Sequence, residues 1–402
     1  MAARRLPTPF LFGEGIPSPC YLLDEDQLVA NCAILDSIQK DTGVKILLAL
    51  KAFSAWSLFP LLSRAGSGPL WGTCASSVDE ARLGREEFGG EVHAYAAAFE
   101  EEEIAELLPL CDHLTLNSLA QWRRFAAQIQ AYNATSAKPV HVGLRINPEH
   151  SEGTVPLYDP CDPSSRLGIR RRDFDPTVFE EGISGLHLHT LCEQGAEAFA
   201  HTLTACEKTF GPELARSRFL NFGGGHHITA PDYNRPLLCE ILKGLRSRYS
   251  AHLYLEPGEA VALDAGWLTA KVLDIVYADM PVAILNVSVT CHMPDVLEMP
   301  YRPPLFYWHD GHVCEANEEE GAYGYRLAGH SCLAGDVIPY TFGFARKLCV
   351  GDCLVFGDMA IYTMVKSTTF NGLRHPSIAR FTGDNVSMIR RFGYEDFKGK
   401  LS

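Results

Sequence analysis

From Asp24 to about Pro257 the sequence alternates short apolar runs of β character with longer amphipathic stretches of helical period, and no low-complexity linker interrupts it. The predicted strands fall at 46–50, 70–73, 92–96, 113–117, 141–146, 185–190, 219–222 and 252–255. Helical patterns lie at 25–39, 56–65, 78–88, 100–108, 119–132, 174–181, 195–210 and 234–249. Regular β/α alternation implies a parallel sheet. Eight units fit a closed (β/α)8 barrel with its chemistry at the C-terminal strand ends, and a doubly wound open sheet is the other topology the pattern allows. After Glu256 the texture changes to short Val/Ile/Tyr-rich runs at 268–276, 282–289, 336–340 and 352–356, separated by Gly, Pro and Asp turns. The expected division is therefore a barrel over 18–258 and an antiparallel C-terminal β-sandwich or barrel over 259–402, with residues 1–17 a candidate addition to the latter.

Composition narrows the class. A chain of 402 residues with 47% hydrophobic content can build a large core, and no apolar run approaches a membrane span. The N-terminus (Met1-Ala2-Ala3-Arg4-Arg5-Leu6-Pro7) lacks an apolar leader core, so an unexported, cytoplasmic protein is expected. Thirteen cysteines, scattered without CxxC pairs or Cys/His zinc spacing, point to free thiols in a reducing compartment and to no metal. The net charge of −14 disfavours a nucleic-acid surface and would attract cationic ligands.

Four of the predicted strands end in residues that run against their surroundings. The run Val44 to Leu50 ends in Lys51, a residue seldom buried without a partner; a desolvated lysine keeps some free amine, which can condense with an aldehyde. A solvated strand cap is the plain alternative. In Gly185-Leu186-His187-Leu188-His189, alternation puts both histidines on one side, where a flat imidazole can stack on an aromatic cofactor; a structural or metal-binding pair is the other reading. Gly223-Gly224-Gly225 follows the seventh strand. Three glycines cost backbone entropy, and their use is to let successive N–H groups approach an anion such as phosphate. Glu256, fixed by Pro257 after the eighth strand, could face a protonated pyridine nitrogen, although an isolated loop glutamate is more often solvated. Amine, stacking imidazole, phosphate-binding glycines and ring-facing carboxylate, in barrel order, together describe a pyridoxal 5′-phosphate site.

On these residues the chain resembles the fold-type III pyridoxal-phosphate enzymes, the alanine racemase and ornithine/diaminopimelate decarboxylase group, over nearly its full length. Pro19-Cys20-Tyr21-Leu22-Leu23-Asp24 is similar to that family's lead-in to the barrel. The resemblance implies that Lys51 carries the cofactor, His189 stacks on its ring, the glycine triplet holds its phosphate, Glu256 meets its ring nitrogen, and Arg145 lies beside it. In the β domain, Gly329-His330-Ser331-Cys332-Leu333-Ala334-Gly335-Asp336 resembles the segment carrying a catalytic cysteine, Cys332, and a substrate-binding aspartate, Asp336. Met359-Ala360-Ile361-Tyr362-Thr363 resembles the segment whose tyrosine, here Tyr362, contacts the phosphate. In the family these groups reach the other subunit's site, so a homodimer with shared active sites is implied.

Departures from the pattern suggest a branch. Ornithine and diaminopimelate decarboxylases usually carry arginine after Glu-Pro-Gly, where this chain has Glu259. His189-Thr190-Leu191-Cys192-Glu193 and Cys291-His292-Met293-Pro294-Asp295-Val296-Leu297-Glu298 resemble the carboxynorspermidine/carboxyspermidine decarboxylase branch. A polyamine with several ammonium groups wants carboxylates along its groove, which Glu259, Asp295 and Glu298 could supply. Diaminopimelate or ornithine decarboxylation, racemisation, and a non-catalytic binding protein on the same scaffold are the competing expectations.

Overall fold

The computed structural model describes residues 6–153, 155–316 and 321–402. Residues 1–5, on which the reading of the N-terminus mostly rests, lie outside them. The chain divides into two compact units, Val29–Val261 and a second that joins the residues up to Leu28 with Ala262–Ser402. Among the described residues no helix is long and apolar enough to cross a membrane. All thirteen cysteines are free.

The first strand, β1 (Cys20–Asp24), lies in the second unit. The first unit contains β2 (Lys45–Ala49), β3 (Gly72–Ala75), β4 (Glu91–Tyr95), β5 (His113–Leu116), β6 (His141–Asn147), β7 (Ile169–Arg170), β8 (Ile183–His187), β9 (Phe219–Asn221) and β10 (His252–Leu255). All pairings are parallel, in the order β5-β4-β3-β2-β10-β9-β8-β6. Pairing of β5 with β6, Leu114 opposite Val142, closes the ring. The pattern's two topologies are thereby separated in favour of the eight-stranded barrel, while the two-residue β7 adds only to the end of β6.

Packing explains the closure. Gly143, Gly185 and Phe219 stand in register on β6, β8 and β9. A Cβ on Gly143 would lie 2.8 Å from the Phe219 ring, and one on Gly185 only 2.4 Å from it. Two adjacent strands thus omit side chains where a third fills the interior. Outside, the helix Leu119–Thr135 starts at Ser118, whose hydroxyl accepts from Gln121 N–H, and buries Trp122, Phe125 and Ile129 on one stripe. The helix Arg235–Arg248 is capped by Asn234, has proline in its first turn, and buries Leu238, Leu242 and Leu245.

The second unit is a ten-stranded sheet structure. Its further strands are β11 (Gly266–Tyr277), β12 (Pro281–Leu285), β13 (Leu305–His309), β14 (His312–Glu315), β15 (Tyr323–Ala328), β16 (Val337–Phe344), β17 (Cys353–Gly357), β18 (Ser377–Thr382) and β19 (Asn385–Arg390). The expected antiparallel domain is in fact mixed: β1 runs parallel to β18, and β12 parallel to β15. The expected start of the barrel at residue 18 also differs from the observed division. Cys20–Asp24 is hydrogen-bonded to β11 on one side and β18 on the other, and Leu22 packs with Trp267, Phe306 and Phe381.

Candidate active site

The C-terminal ends of the barrel strands gather the residues singled out above. β2 stops at Ala49, and a turn follows in which Ala52 and Phe53 N–H groups both donate to Ala49 O at 3.1 and 3.4 Å. The turn lifts Lys51 beyond the last ladder bond, so it is exposed and not enclosed as the apolar run suggested. Its charge still bears on Glu80, His187 and His189. Glu80 is half-buried, and burial raises its carboxyl pKa against the pull of the Ser76 N–H and Lys51.

Glu256 follows β10 and is 5% exposed. Its Oε2 lies 3.2 Å from His187 Nε2, and its Oε1 accepts from Asn221 Nδ2 at 2.5 Å. Burial alone would raise this carboxyl's pKa; the His187 imidazole, then His93 and the Asn221 amide, outweigh it and hold the group ionised well below the usual range. Asn221 Oδ1 in turn accepts from Gly223 N–H at 2.9 Å, so one amide ties the carboxylate to the glycine loop. His189 Nδ1 accepts from Gly224 N–H at 3.1 Å, and its carbonyl accepts from Arg145 at 2.9 Å. β8 ends at His187, yet the two imidazoles remain neighbours, 6.2 Å apart. Burial, then the charges of Lys51 and Arg145, lower the His189 pKa and keep the ring neutral. Arg145 is buried with its guanidinium 4.8 Å from the Tyr95 ring, which stacks on His187 at 5.3 Å.

These residues fit pyridoxal 5′-phosphate. Gly223 and Gly225 have φ of +67° and +80°. A Cβ on Gly224 would come within 2.5 Å of Glu256 O, and one on Gly225 within 2.0 Å of Leu191 O, so the loop is a cradle only glycine can form. Among the described residues nothing accepts the Gly225 N–H. That donor is left for an anion. A carboxylate has about four lone-pair sites, so Glu256 keeps capacity for a protonated ring nitrogen beyond His187 and Asn221. Gly225→Ala should therefore fold poorly or lose the cofactor on dialysis, read from the absorbance that protein retains.

The remaining expected site residues lie in the second unit. Cys332 is exposed on a loop, and its N–H donates to Asn371 Oδ1 at 3.0 Å. Tyr362 is half-buried with φ +50°. Asp295 is 8% exposed; its Oδ2 accepts from Tyr301 and Thr363 hydroxyls at 2.6 and 2.9 Å, and its Oδ1 has no partner among the described residues. Burial raises its pKa. Asp336, expected to meet substrate, is 1% exposed, and both oxygens accept within its own unit, from Ser288, Thr290 and Ser331. Its geometry is that of a loop brace. Glu298 is exposed and ion-paired with Lys366. Glu259, half-buried, stays in the first unit, where burial and then its charge help push the Cys192 thiol up to about 11.

Sequence reasoning passes over Asn221, Tyr95 and Glu80. Only Glu80 carries a signal, the Ser77-x-x-Glu80 helix start in which the Ser77 hydroxyl accepts from Glu80 N–H.

A family model described as "Pyridoxal-dependent decarboxylase, C-terminal sheet domain" matches residues 20–360. The chain belongs to the pyridoxal-dependent decarboxylases: it is an enzyme, and its cofactor is pyridoxal 5′-phosphate. It is 38% identical over 395 residues to a carboxynorspermidine/carboxyspermidine decarboxylase of Campylobacter jejuni, covering 96% of this chain and 99% of that one. It is 41% identical over 390 residues to a carboxyaminopropylagmatine decarboxylase of Synechocystis, covering 96% of each. Among solved structures, carboxynorspermidine decarboxylase from Campylobacter jejuni, complexed with norspermidine, superimposes with a TM-score of 0.82 at 36% identity, covering 95% of this chain and 99% of that one.

Proposed function

We propose that this enzyme removes carbon dioxide from a carboxylated polyamine, carboxynorspermidine or carboxyspermidine, to give norspermidine or spermidine. The observation that carries this reading is the near-complete coverage of relatives of that name at 35–38% identity. Bound pyridoxal 5′-phosphate supplies the electron sink for the charge left on the α-carbon when carbon dioxide departs. Lys51 offers the amine that holds the cofactor aldehyde. The Gly223–Gly225 loop would cradle the phosphate, with the Gly225 N–H as its free donor, the neutral His189 ring backs one face, and Arg145 fixes His189 through its carbonyl. Glu256, ionised, keeps a proton on the ring nitrogen.

By the family resemblance, Cys332 returns the proton to the α-carbon, and the segments carrying Cys332, Asp336 and Tyr362 reach the site of a second copy of the chain in a cytoplasmic homodimer, while Glu259 and Asp295 meet the substrate's amines. Asp336 then serves by bracing the Cys332 loop. Cys332→Ala should lower turnover far more than substrate affinity, which a kcat-against-KM comparison reads.

The Synechocystis relative favours a second reading, carboxyaminopropylagmatine, whose far end is a guanidinium in place of an ammonium. Asp295 bears on that choice. With Oδ2 already held by Tyr301 and Thr363, it offers one oxygen, which suits a single ammonium better than a two-pronged guanidinium. Steady-state kinetics on carboxynorspermidine, carboxyspermidine, carboxyaminopropylagmatine, diaminopimelate and ornithine test the proposal. A carboxylated polyamine should give the highest kcat/KM, and preference for diaminopimelate or ornithine would overturn it.

A further inference from the structure

Asn221 ends β9 and is buried between the glycine loop and Glu256. It stands in register with His187 on β8 and Tyr254 on β10, so its backbone is fixed from both sides. Both ends of its amide are engaged: Oδ1 accepts from Gly223 N–H at 2.9 Å, and Nδ2 donates to Glu256 Oε1 at 2.5 Å. A backbone N–H can only donate, so the amide oxygen has to face Gly223 and the NH2 has to face the carboxylate. The flipped amide would set donor against donor and acceptor against acceptor. On the other carboxylate oxygen, His187 Nε2 lies at 3.2 Å, and His187 Nδ1 is buried without a partner among the described residues. Burial lowers the pKa of that imidazole and keeps it neutral against the pull of Glu256, which leaves its proton on Nε2. Each Glu256 oxygen thus accepts from a neutral donor, which steadies the negative charge without cancelling it.

We propose that Asn221 is a positioning residue for decarboxylation, its amide making the loop that cradles the phosphate also aim the carboxylate that keeps the ring nitrogen protonated. The inference rests on the assignment of the ring nitrogen to Glu256. A charge fixed in advance inside a buried site needs no rearrangement when charge develops on the substrate, and its value depends on the neighbours that hold it. Asn221 is the one side chain that bonds both to the glycine loop and to Glu256 among the described residues. Loosening it should therefore be felt at both ends of the cofactor.

The test compares holoenzymes of the wild type, Asn221→Ser, Glu256→Gln and the double variant, by turnover and by the half-life of cofactor absorbance under dialysis. Serine is too short to span both partners. Asn221→Ser should lower kcat at least about tenfold with a much smaller change in KM, and should shorten the half-life. In the Glu256→Gln background the same substitution should change kcat by less than about twofold, because the charge it aims is gone. Equal losses in both backgrounds would overturn the coupling, whereas full turnover in Glu256→Gln alone would overturn the assignment of Glu256 beneath it. Asn221→Asp keeps the shape and decides the matter should Asn221→Ser not fold. Its carboxyl would share one proton with Glu256, donating to it while still accepting from Gly223. Facing that pair are His187, His93, Tyr95 and the Cys74 thiol, with the charges of Lys51 and Arg145 bearing on His187. Turnover of Asn221→Asp relative to wild type should be best preserved at acid pH and fall as pH rises and the shared proton leaves. A ratio independent of pH would contradict the proposal.

Discussion

Lys51→Ala should yield a folded protein with no turnover and no visible absorbance from lysine-bound cofactor. Folding should survive because Lys51 is exposed and stands past the end of β2, so nothing packed is removed. The loss should be several orders of magnitude, as when a residue that bonds covalently to the reacting system is deleted. Stopped assays with the best polyamine substrate, beside a spectrum of the purified variant, measure both. Retention of either signal would move the aldehyde to another amine.

Glu256→Gln is expected to be nearly as damaging, for a different reason. Glutamine fills the same space and can still accept from Asn221, but it cannot hold a proton on the ring nitrogen, and loss of such an aimed charge costs about 10²–10³ in turnover. A pH experiment separates this from misfolding. The folded-state pKa of Glu256 is depressed from its ordinary 4.5, so its contribution to stability is complete above that value and is lost as pH falls toward about 2. Melting temperatures followed from about pH 6 down to about pH 3 should fall less steeply for Glu256→Gln than for the wild type over that acid range. Parallel curves would mean that the carboxyl is not held ionised by its neighbours.

The barrel is legible in the sequence because strands buried on both faces leave near-continuous apolar runs. Four of the five residues of Lys45–Ala49, and all of His113–Leu116, are buried, and each run is bounded by a helix of clear period. Strand pairing is not legible. Cys20–Asp24 is buried throughout and reads like any barrel strand, yet its partners are Gly266–Thr269 and Ser377–Phe381, hundreds of residues away. Apolar periodicity carries no strand direction, which is why two parallel ladders in the second unit escape notice. β19 has no buried residue, β18 alternates only over its last four, and β7 has only two residues.

The site shows the same division. Lys51, Glu256 and the glycine triplet are visible because each departs from its surroundings. Their partners are not: His187 and Asn221 meet Glu256 across 69 and 35 residues, a contact that only closure of the barrel creates. Asp336 shows the converse, a residue whose motif suggests substrate while its surroundings spend both oxygens on Ser288, Thr290 and Ser331.

The covalent attachment of the cofactor is tested most directly by reducing the holoenzyme with borohydride, digesting it, and locating the pyridoxyl group by mass spectrometry. The label should sit on Lys51 alone, at one per chain. A label on any other lysine, or none, would contradict the account.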